Sequence, residues 1–333
     1  MTIKFNNVYV ESTGTVTGPY ERSGPLEKYF DHSYDDLYAK EPTWEQAEVR
    51  FQQLSIDTTL NKAKKSKLDI DLLISGDLLN QLVASSYTAS RFGIPYFGVY
   101  SACSTSAEAI ILGSSLIDSG KINNALCATS SHNLAAEKQF RYPTEYGGPK
   151  PKYSTFTTTG GASLLLSNKF SKIKVESGTI GRVMDMDQKD VFNMGAVMAS
   201  AAGDTIYNHL KDTKREVGYY DLIITGDLGV YGKQILIEYL KTEHNLDITN
   251  NYKDAGTMIY DIQNQEVYAG GSGPACGPLV MYSYIFNKML SGELERVLFV
   301  PTGALMNSTM VNQKLSIPSI AHAVSLEAYN DIR

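Results

Sequence analysis

DLLISGDL, residues 71–78, returns as DLIITGDL at residues 221–228, with six of the eight positions identical. The two copies lie 150 residues apart (221 − 71), far more than the repeat unit of about 20–50 residues in solenoid proteins. A second similarity follows, because the segments that begin at Cys103 and Cys276 also resemble each other. The repeat therefore predicts two duplicated halves that pack on each other around a pseudo-twofold axis.

Each half is predicted to show the same alternation of helices and strands. Trp44, Phe51 and Thr58 follow helical spacing, whereas the almost continuous apolar run at residues 71–75 is typical of a strand covered on both faces. No G-x-G-x-x-G follows this first strand, which disfavours a Rossmann pair. The predicted fold class is α/β, a five-layer α/β/α/β/α sandwich in one compact unit whose halves cover residues 1–170 and 171–333.

The composition describes an ordinary globular protein and excludes several classes of function. The 333 residues are 43% hydrophobic, and the net charge of −6 provides no basic surface for nucleic acid. The apolar runs fall short of the roughly 20 residues of a membrane span, and residues 1–13 lack a signal-peptide core. The three cysteines show no C-x-x-C pair and no zinc-ligand spacing, so we expect neither disulfides nor a structural metal.

The stretch YFGVYSACSTSAEA, residues 96–109, places a cysteine between a strand and a helix. At a helix N-terminus the positive end of the helix dipole lowers the pKa of a thiol and favours the thiolate. Cys103 therefore has the position of an acyl-accepting nucleophile. A free cysteine is also a common small apolar core residue, so packing remains an alternative to ligand contact.

The duplication and the ACSTS turn resemble the thiolase and ketoacyl synthase superfamily, in which a cysteine at the start of a buried helix takes up an acyl group. Within it, five strings that together span nearly the whole chain resemble the stage V sporulation protein AD family. They are ISGDLLNQ (74–81), SACSTS (101–106), ATSSHNLAAEKQFRYPTEYGG (128–148), AGGSGPACG (269–277) and SIPSIAHAV (316–324). The resemblance implies a thiolase-like sandwich that binds dipicolinic acid (pyridine-2,6-dicarboxylate), or its calcium chelate, during uptake into the developing spore.

The same resemblance implies partners and a location. It implies a component of a spore channel complex, in contact with that complex's membrane proteins and peripheral to the inner spore membrane. Calcium is expected only as part of the chelate, and no other cofactor or metal is expected. A homodimer is expected because this superfamily pairs edge strands across a twofold axis, and we assign that role to the strand predicted at residues 125–129.

Catalysis is not expected, because the partners of the cysteine are missing. Condensing enzymes of this superfamily pair the cysteine with a histidine and with a second histidine or an asparagine. When this sequence is aligned with those enzymes, Gly226 takes the position of the histidine and Ser272 that of the asparagine. Neither side chain can shuttle a proton at neutral pH. We interpret Cys103 as the relic of a nucleophile in a binding pocket. Two alternatives remain, a condensing enzyme in which His132 or His322 substitutes and a scaffold with a vestigial pocket.

Asp77 and Asp227 are the paired carboxylates of the repeated GDL. They follow two buried strands, at the strand ends where such folds bind ligands. If both carboxylates line the site, a dianionic ligand must meet them through calcium or through their protonated forms. The alternative is that each carboxylate caps the helix that follows.

Further candidates for ligand contact come from loops. His132 follows a strand end, and His322 lies in the final loop, where the superfamily places a segment that faces the cysteine. The alternative for His132 is a loop histidine with local hydrogen bonds. Cations and an aromatic face at residues 138–142 suit an aromatic dicarboxylate, with a solvated charged helix end as the alternative. Hydroxyls at residues 158–159 allow close approach, with a tight turn as the alternative. The loop candidates besides the two histidines are Lys138, Arg141, Tyr142, Thr158, Thr159 and Ser272.

Overall fold

The computed structural model describes residues 1–141 and 150–329. Its strands and helices alternate along both halves. The strands are β1 (Thr2–Lys4), β2 (Tyr9–Thr17), β3 (His32–Ser33), β4 (Leu72–Gly76), β5 (Tyr96–Gly98), β6 (Asn124–Ser131), β7 (Phe156–Thr157), β8 (Gly160–Ser167), β9 (Ile173–Thr179), β10 (Leu222–Thr225), β11 (Tyr252–Asp254), β12 (Gly271–Ser272), β13 (Arg296–Val300), β14 (Thr302–Ala304), β15 (Ser319–Ala321) and β16 (Ala323–Ala328).

The helices lie between these strands, and a π-helical turn, Met281–Ile285, joins two of them (α8 and α9) into one continuous helix. They are α1 (Pro19–Arg22), α2 (Trp44–Ala63), α3 (Val83–Phe92), α4 (Thr105–Asp118), α5 (Asn133–Phe140), α6 (Met194–Thr213), α7 (Gly229–His244), α8 (Cys276–Val280), α9 (Phe286–Leu290) and α10 (Ser308–Asn312).

The main sheet has the same strand order in both halves. The first half runs β5-β4-β6-β8-β2, and the second runs β11-β10-β13-β16-β9. In each half the first three strands of this order pair in parallel, and the next two pairings are antiparallel. The two halves join where β2 pairs with β9, at Tyr9–Lys174 and Val10–Ile173. The division expected at residue 170 falls in the loop between β8 and β9.

The helices complete five layers. Helix α4 packs against β4, β6 and β8 of the first half and also against β9 and β16 of the second, so it belongs to a layer shared by both halves. Helix α8 lies in the same layer, against β8, whereas α2 and α3 cover the outer face of the first half and α6 and α7 that of the second. The predicted α/β/α/β/α sandwich is therefore confirmed.

The two long outer helices show how closely the halves repeat. Helices α2 and α6 each have 20 residues and begin 150 residues apart (194 − 44). Both end at a lysine in the left-handed region, Lys64 with φ 53° and Lys214 with φ 56°. The Thr43 side chain accepts a hydrogen bond from the Gln46 amide at 3.2 Å and thereby caps α2.

The strand assigned to the dimer interface does not lie at an edge. Strand β6, predicted over residues 125–129, is paired on both sides, with β4 and with β8. Its backbone groups are therefore used within the sheet, and the assignment of this strand to the interface was wrong. Within residues 1–141 and 150–329, β5 is the edge of the first half and pairs only with β4, and Phe97 in this strand is 50% exposed.

Candidate functional site

Cys103 lies in a sharp turn that connects β5 to α4. A single 3₁₀ turn, Ala102–Ser104, precedes the helix, and Ala102 adopts a φ of 48°. The turn is held from the second half of the chain, because the Ser104 hydroxyl donates to the Pro301 carbonyl at 2.7 Å and accepts from the His322 amide at 3.0 Å. A Cβ on Gly303 would lie 2.1 Å from the Ser101 carbonyl oxygen, so only glycine allows this approach.

The side chain of Cys103 is partly exposed and faces a cavity of about 50 Å³ between the two halves. This volume holds one or two water molecules at about 30 Å³ each. The cavity is lined by Leu78, Tyr100, Cys103, Ala136, Glu137, Phe140, Arg141, Thr157, Met194, Met198, Ser272, Gly273, Ala304 and Met306.

An outer chamber of about 320 Å³ adjoins this inner cavity. The two spaces share the side chains of Leu78, Tyr100, Phe140 and Met306, which we call the neck. The further lining residues of the outer chamber are Leu79, Asn80, Gln81, Leu82, Gln139, Leu305, Asn307 and Ser308, none of which carries a charge. A ligand larger than a few water molecules must therefore occupy the outer chamber or displace the neck side chains.

The surroundings of the Cys103 thiol oppose its ionisation. Burial, and then the charge of Asp227, raise the pKa of Cys103 well above its ordinary value. A nucleophilic cysteine needs the opposite surroundings, with cations or imidazole nearby. The structure thus keeps this thiol protonated.

Asp227 is fully buried, and its two oxygens have different surroundings. Oδ1 accepts from the Thr302 amide at 3.1 Å and from the Thr302 hydroxyl at 2.6 Å. Oδ2 is buried and has no hydrogen-bond partner among the described residues. Burial, together with the charge of Asp254, raises the pKa of Asp227 to about 7.

Asp254 is a second buried carboxylate below the cavity, and the sequence patterns did not indicate it. It accepts from the Thr225 hydroxyl at 2.7 Å and from the backbone amides of Leu228 at 2.9 Å and Gly229 at 3.0 Å. These amides open α7, so Asp254 stabilises the start of that helix. Burial raises its pKa to about 6.

Asp77 has the role of a local cap. Its Oδ1 accepts from the Leu79 amide at 2.9 Å, and its Oδ2 accepts from the Ser85 amide at 2.8 Å. Burial raises its pKa despite these hydrogen bonds. Asp77 is not among the described residues that line the cavity, although its charge reaches Tyr100 in the neck and helps to raise the pKa of that phenol to about 12.

Neither candidate histidine lines the cavity in the described part of the chain. The Nε2 of His132 lies 2.7 Å from the Leu37 carbonyl, and its Nδ1 accepts from the Ala135 amide at 3.4 Å, at the start of α5. The Nδ1 of His322 accepts from the Gly181 amide at 3.2 Å, and its Nε2 lies 3.2 Å from the Ser101 hydroxyl. Burial lowers the pKa of both, to about 4 for His322.

Arg141 and Ser272 do line the cavity. Arg141 donates to Glu137 at 2.8 Å and to the Val191 and Thr155 carbonyls at 3.2 and 3.3 Å, and Lys150 also pairs with Glu137 at 3.0 Å. Arg141 and Lys150 therefore share the Glu137 carboxylate, and the three side chains together carry a net positive charge.

The other loop candidates lie outside the lining or outside the described residues. Lys138 pairs with Glu45 at 2.8 Å at the surface. The Thr159 hydroxyl accepts from the Asn133 amide at 3.0 Å, and Thr158 contacts the buried Tyr260. Tyr142 lies outside the described residues.

The sequence patterns indicated Cys103, but they did not indicate most of the residues that line the cavity. Tyr100, Phe140, Met306 and the pair Met194 and Met198 of α6 come from four separate segments. Each has the signature of an ordinary core or loop side chain, and only the packing of the two halves brings them together. No cluster of potential metal ligands occurs within residues 1–141 and 150–329.

Comparison with protein families identifies the chain. The model of the family described as Stage V sporulation protein AD matches residues 1–327. The chain belongs to the stage V sporulation protein AD family. A curated member of this family, Stage V sporulation protein AD of Bacillus subtilis (strain 168), is 46% identical over 320 residues, which cover 96% of this chain and 94% of that protein.

Solved structures of other proteins share the fold of this chain. The chain aligns with 3-oxoacyl-[acyl-carrier-protein] synthase III from Aquifex aeolicus VF5 with a TM-score of 0.59 and 14% identity, over 96% of this chain and 99% of that one. It aligns with cerulenin-bound OleA of Xanthomonas campestris with a TM-score of 0.61 and 16% identity, over 97% and 98%. The predicted likeness to thiolase-type and ketoacyl synthase folds is confirmed.

Proposed function

We propose that this protein binds dipicolinate, as the free dianion or as its calcium chelate, and that it does so without catalysing a reaction. Membership of a sporulation family and a thiolase-like fold support a role in the spore built on a scaffold with an inherited pocket. The ligand itself is the one implied by the sequence resemblance.

The observation that carries the noncatalytic part is the position of the Cys103 thiol, where burial and the charge of Asp227 both oppose ionisation. An acyl-transfer cysteine must reach the thiolate at neutral pH, and a neighbouring carboxylate opposes that ionisation. Gly226 and Ser272 stand at the positions where the superfamily supplies a histidine and an asparagine. The sequence offered His132 and His322 as substitutes, but their Nδ1 atoms accept backbone amides and neither ring is among the lining residues. Binding therefore fits the site better than condensation does.

The walls of the cavity suit an aromatic dicarboxylate. Arg141 lines the cavity, and Lys150 shares the Glu137 carboxylate with it from outside the lining, so these three side chains together carry a net positive charge. The rings of Tyr100 and Phe140 in the neck offer flat apolar faces for a pyridine ring. The inner cavity of about 50 Å³ is too small for the whole ligand, which must extend through the neck into the outer chamber.

The partners and the location follow the same proposal. The protein acts with the membrane proteins of a spore channel complex, peripheral to the inner spore membrane, and forms a homodimer. In the described residues, no helix combines the length and apolar character needed to cross a membrane.

Calorimetric titration of the purified protein with dipicolinate, with and without calcium, tests the proposal. Cys103→Ala and Arg141→Gln should weaken saturable binding, and Lys138→Gln is a matched control because its cation pairs at the surface with Glu45. An acyl-CoA turnover assay runs in parallel. Turnover that depends on Cys103 would contradict the noncatalytic assignment. If the protein shows neither dipicolinate binding nor turnover, the remaining interpretation is a scaffold with a vestigial pocket.

A further inference from the structure

His322 contacts both of the serines that flank Cys103. Its ring Nε2 lies 3.2 Å from the hydroxyl of Ser101, and its backbone amide donates to the hydroxyl of Ser104 at 3.0 Å. All three residues are buried, with exposed fractions of 4% for Ser101, 0% for Ser104 and 5% for His322. One residue of the second half therefore holds the Cys103 turn at two points, one on each side of the cysteine.

The hydrogen bonds around the imidazole define where its proton lies. The Gly181 amide donates to Nδ1 of His322 at 3.2 Å, so Nδ1 carries no hydrogen and the ring proton is on Nε2. Nε2 therefore donates to the Ser101 hydroxyl, and that hydroxyl donates in turn to Oε2 of Glu108 at 2.6 Å. The chain of hydrogen bonds that starts at Gly181 and ends at Glu108 thus runs in one direction.

Ser101, His322 and Glu108 are the residue types of a hydrolytic triad, but they do not have its geometry. In a triad the serine hydroxyl donates to the imidazole, and the carboxylate accepts from the other ring nitrogen. Here the imidazole donates to Ser101, and Glu108 accepts from the serine instead of from the ring. Ser101 is also not among the described residues that line the Cys103 cavity. These three side chains therefore hold the turn and do not form a second nucleophile.

The Cys103 turn needs support from outside, because its own backbone is strained. Ala102 has a φ of 48°, a left-handed conformation that is costly for a residue with a side chain. Within the turn, the Ser104 amide donates to the Ser101 carbonyl at 2.9 Å. A strained backbone persists only where the surrounding contacts hold it. Loss of a contact with His322 should therefore let the turn relax and move the cysteine.

We infer that His322 is a positioning residue for the Cys103 site and that it acts through the Ser101 hydroxyl instead of by contact with a ligand. This inference deepens the proposed function and rests on it, because it takes the Cys103 cavity as the place where the ligand binds. The contacts of the ring with Gly181 and of the hydroxyl with Glu108 fix the orientation of both groups.

Two substitutions of His322 separate the roles of the two ring nitrogens. Glutamine places an amide nitrogen near the position of Nε2 and can donate to Ser101, whereas asparagine places its oxygen near the position of Nδ1 and can only accept from Gly181. In calorimetry, His322→Asn should weaken dipicolinate binding about fivefold, the ratio expected for one lost neutral hydrogen bond. His322→Gln should recover most of that loss, an order that a purely structural role would not produce.

The rate at which iodoacetamide alkylates Cys103 reports on the turn without any ligand. Cys103 is partly exposed, whereas Cys127 and Cys276 are buried, and Cys103→Ala measures their background. The rate should rise about fivefold in His322→Asn and in Ser101→Ala, because a relaxed turn exposes the thiol. The double variant should react no faster than Ser101→Ala alone, since the ring has then already lost the contact through which it acts.

Ser115→Ala is the matched control for these rates. Ser115 lies on α4, and its hydroxyl donates to the Ile111 carbonyl of the same helix at 2.8 Å, so this variant should keep the wild-type rate. Thermal unfolding shows that each variant is folded before rates are compared. If a His322 variant does not fold, Ser101→Ala tests the same contact from the other side.

Equal effects of His322→Asn and His322→Gln on both readouts, or additive effects in the double variant, would overturn the inference. A rate in Ser101→Ala that equals the wild-type rate would overturn it as well. Absence of dipicolinate binding by the wild type would instead overturn the proposed ligand, and the alkylation rates would still decide whether His322 positions Cys103.

Discussion

Asp77 and Asp227 occupy equivalent positions in the repeated GDL motif but hold different parts of the molecule. Asp77 accepts backbone amides from the residues just after it, Leu79 and Ser85. Asp227 accepts from Thr302, 75 residues later, and its charge helps to raise the pKa of Cys103. One copy of the motif thus stabilises a helix, and the other shapes the candidate site.

Replacement of Asp77 should cost stability more than it changes ligand contact. Asp77→Ala leaves two buried amides without acceptors, which we expect to lower the free energy of unfolding by about 2–3 kcal/mol. Asp77→Asn should cost less, because its carbonyl still accepts one of them. Chemical denaturation measures both values, and unchanged stability with lost dipicolinate binding would show that Asp77 is a ligand contact instead.

Asp227 should make the protein less stable as pH rises. The folded chain holds this proton with a pKa of about 7, whereas an unfolded carboxyl titrates at about 4, so the free energy of unfolding falls between those values. The stability of Asp227→Asn relative to the wild type should therefore increase between pH 5 and pH 8, by about 2–3 kcal/mol. Thermal unfolding at the two pH values measures this difference, and an equal difference at both would contradict it.

The neck should control access to Cys103. Met306→Trp places a large ring between the two chambers, so dipicolinate binding measured by calorimetry should weaken at least about tenfold. Met310→Trp is the matched control, because Met310 lies on α10 and is already 48% exposed. Equal binding by the two variants would place the ligand outside these chambers.

Strand β5 should carry the expected dimer contact. Phe97→Asp puts a charge on this unpaired edge, which should convert a dimer to a monomer in light scattering after size exclusion. Leu68→Asp serves as the control, since Leu68 is 89% exposed and lies outside the sheet. A monomeric wild type, or a dimeric Phe97→Asp variant, would argue against pairing through β5.

Local patterns were sufficient for much of the fold. The spacing of Trp44, Phe51 and Thr58 predicted α2, and the repeat predicted that α6 would match it, because helix periodicity and capping are properties of neighbouring residues. The position of Cys103 before α4 was predicted for the same reason.

The remaining features depend on contacts between distant segments. The residues near Asp227 in the sequence do not indicate that its hydrogen-bond donor is Thr302. The residues near Asp77 likewise do not indicate that its donors, such as the Leu79 amide, come only from the segment that follows it. Strand β6 looked like a possible edge because its sequence does not reveal that β8 covers its second side. Sheet order and cavity lining are set by how the halves pack, which periodicity does not encode.

The position of β16 bears on how the chain folds during synthesis. This strand, Ala323–Ala328, lies between β13 and β9, in the interior of the long sheet. The five main strands of the first half are all complete by residue 167, so that half can assemble while the ribosome is still translating the second. The second half has a gap in its sheet until residue 328 has emerged, and the Cys103 turn, which His322 helps to hold, is among the last parts of the first half to be fixed.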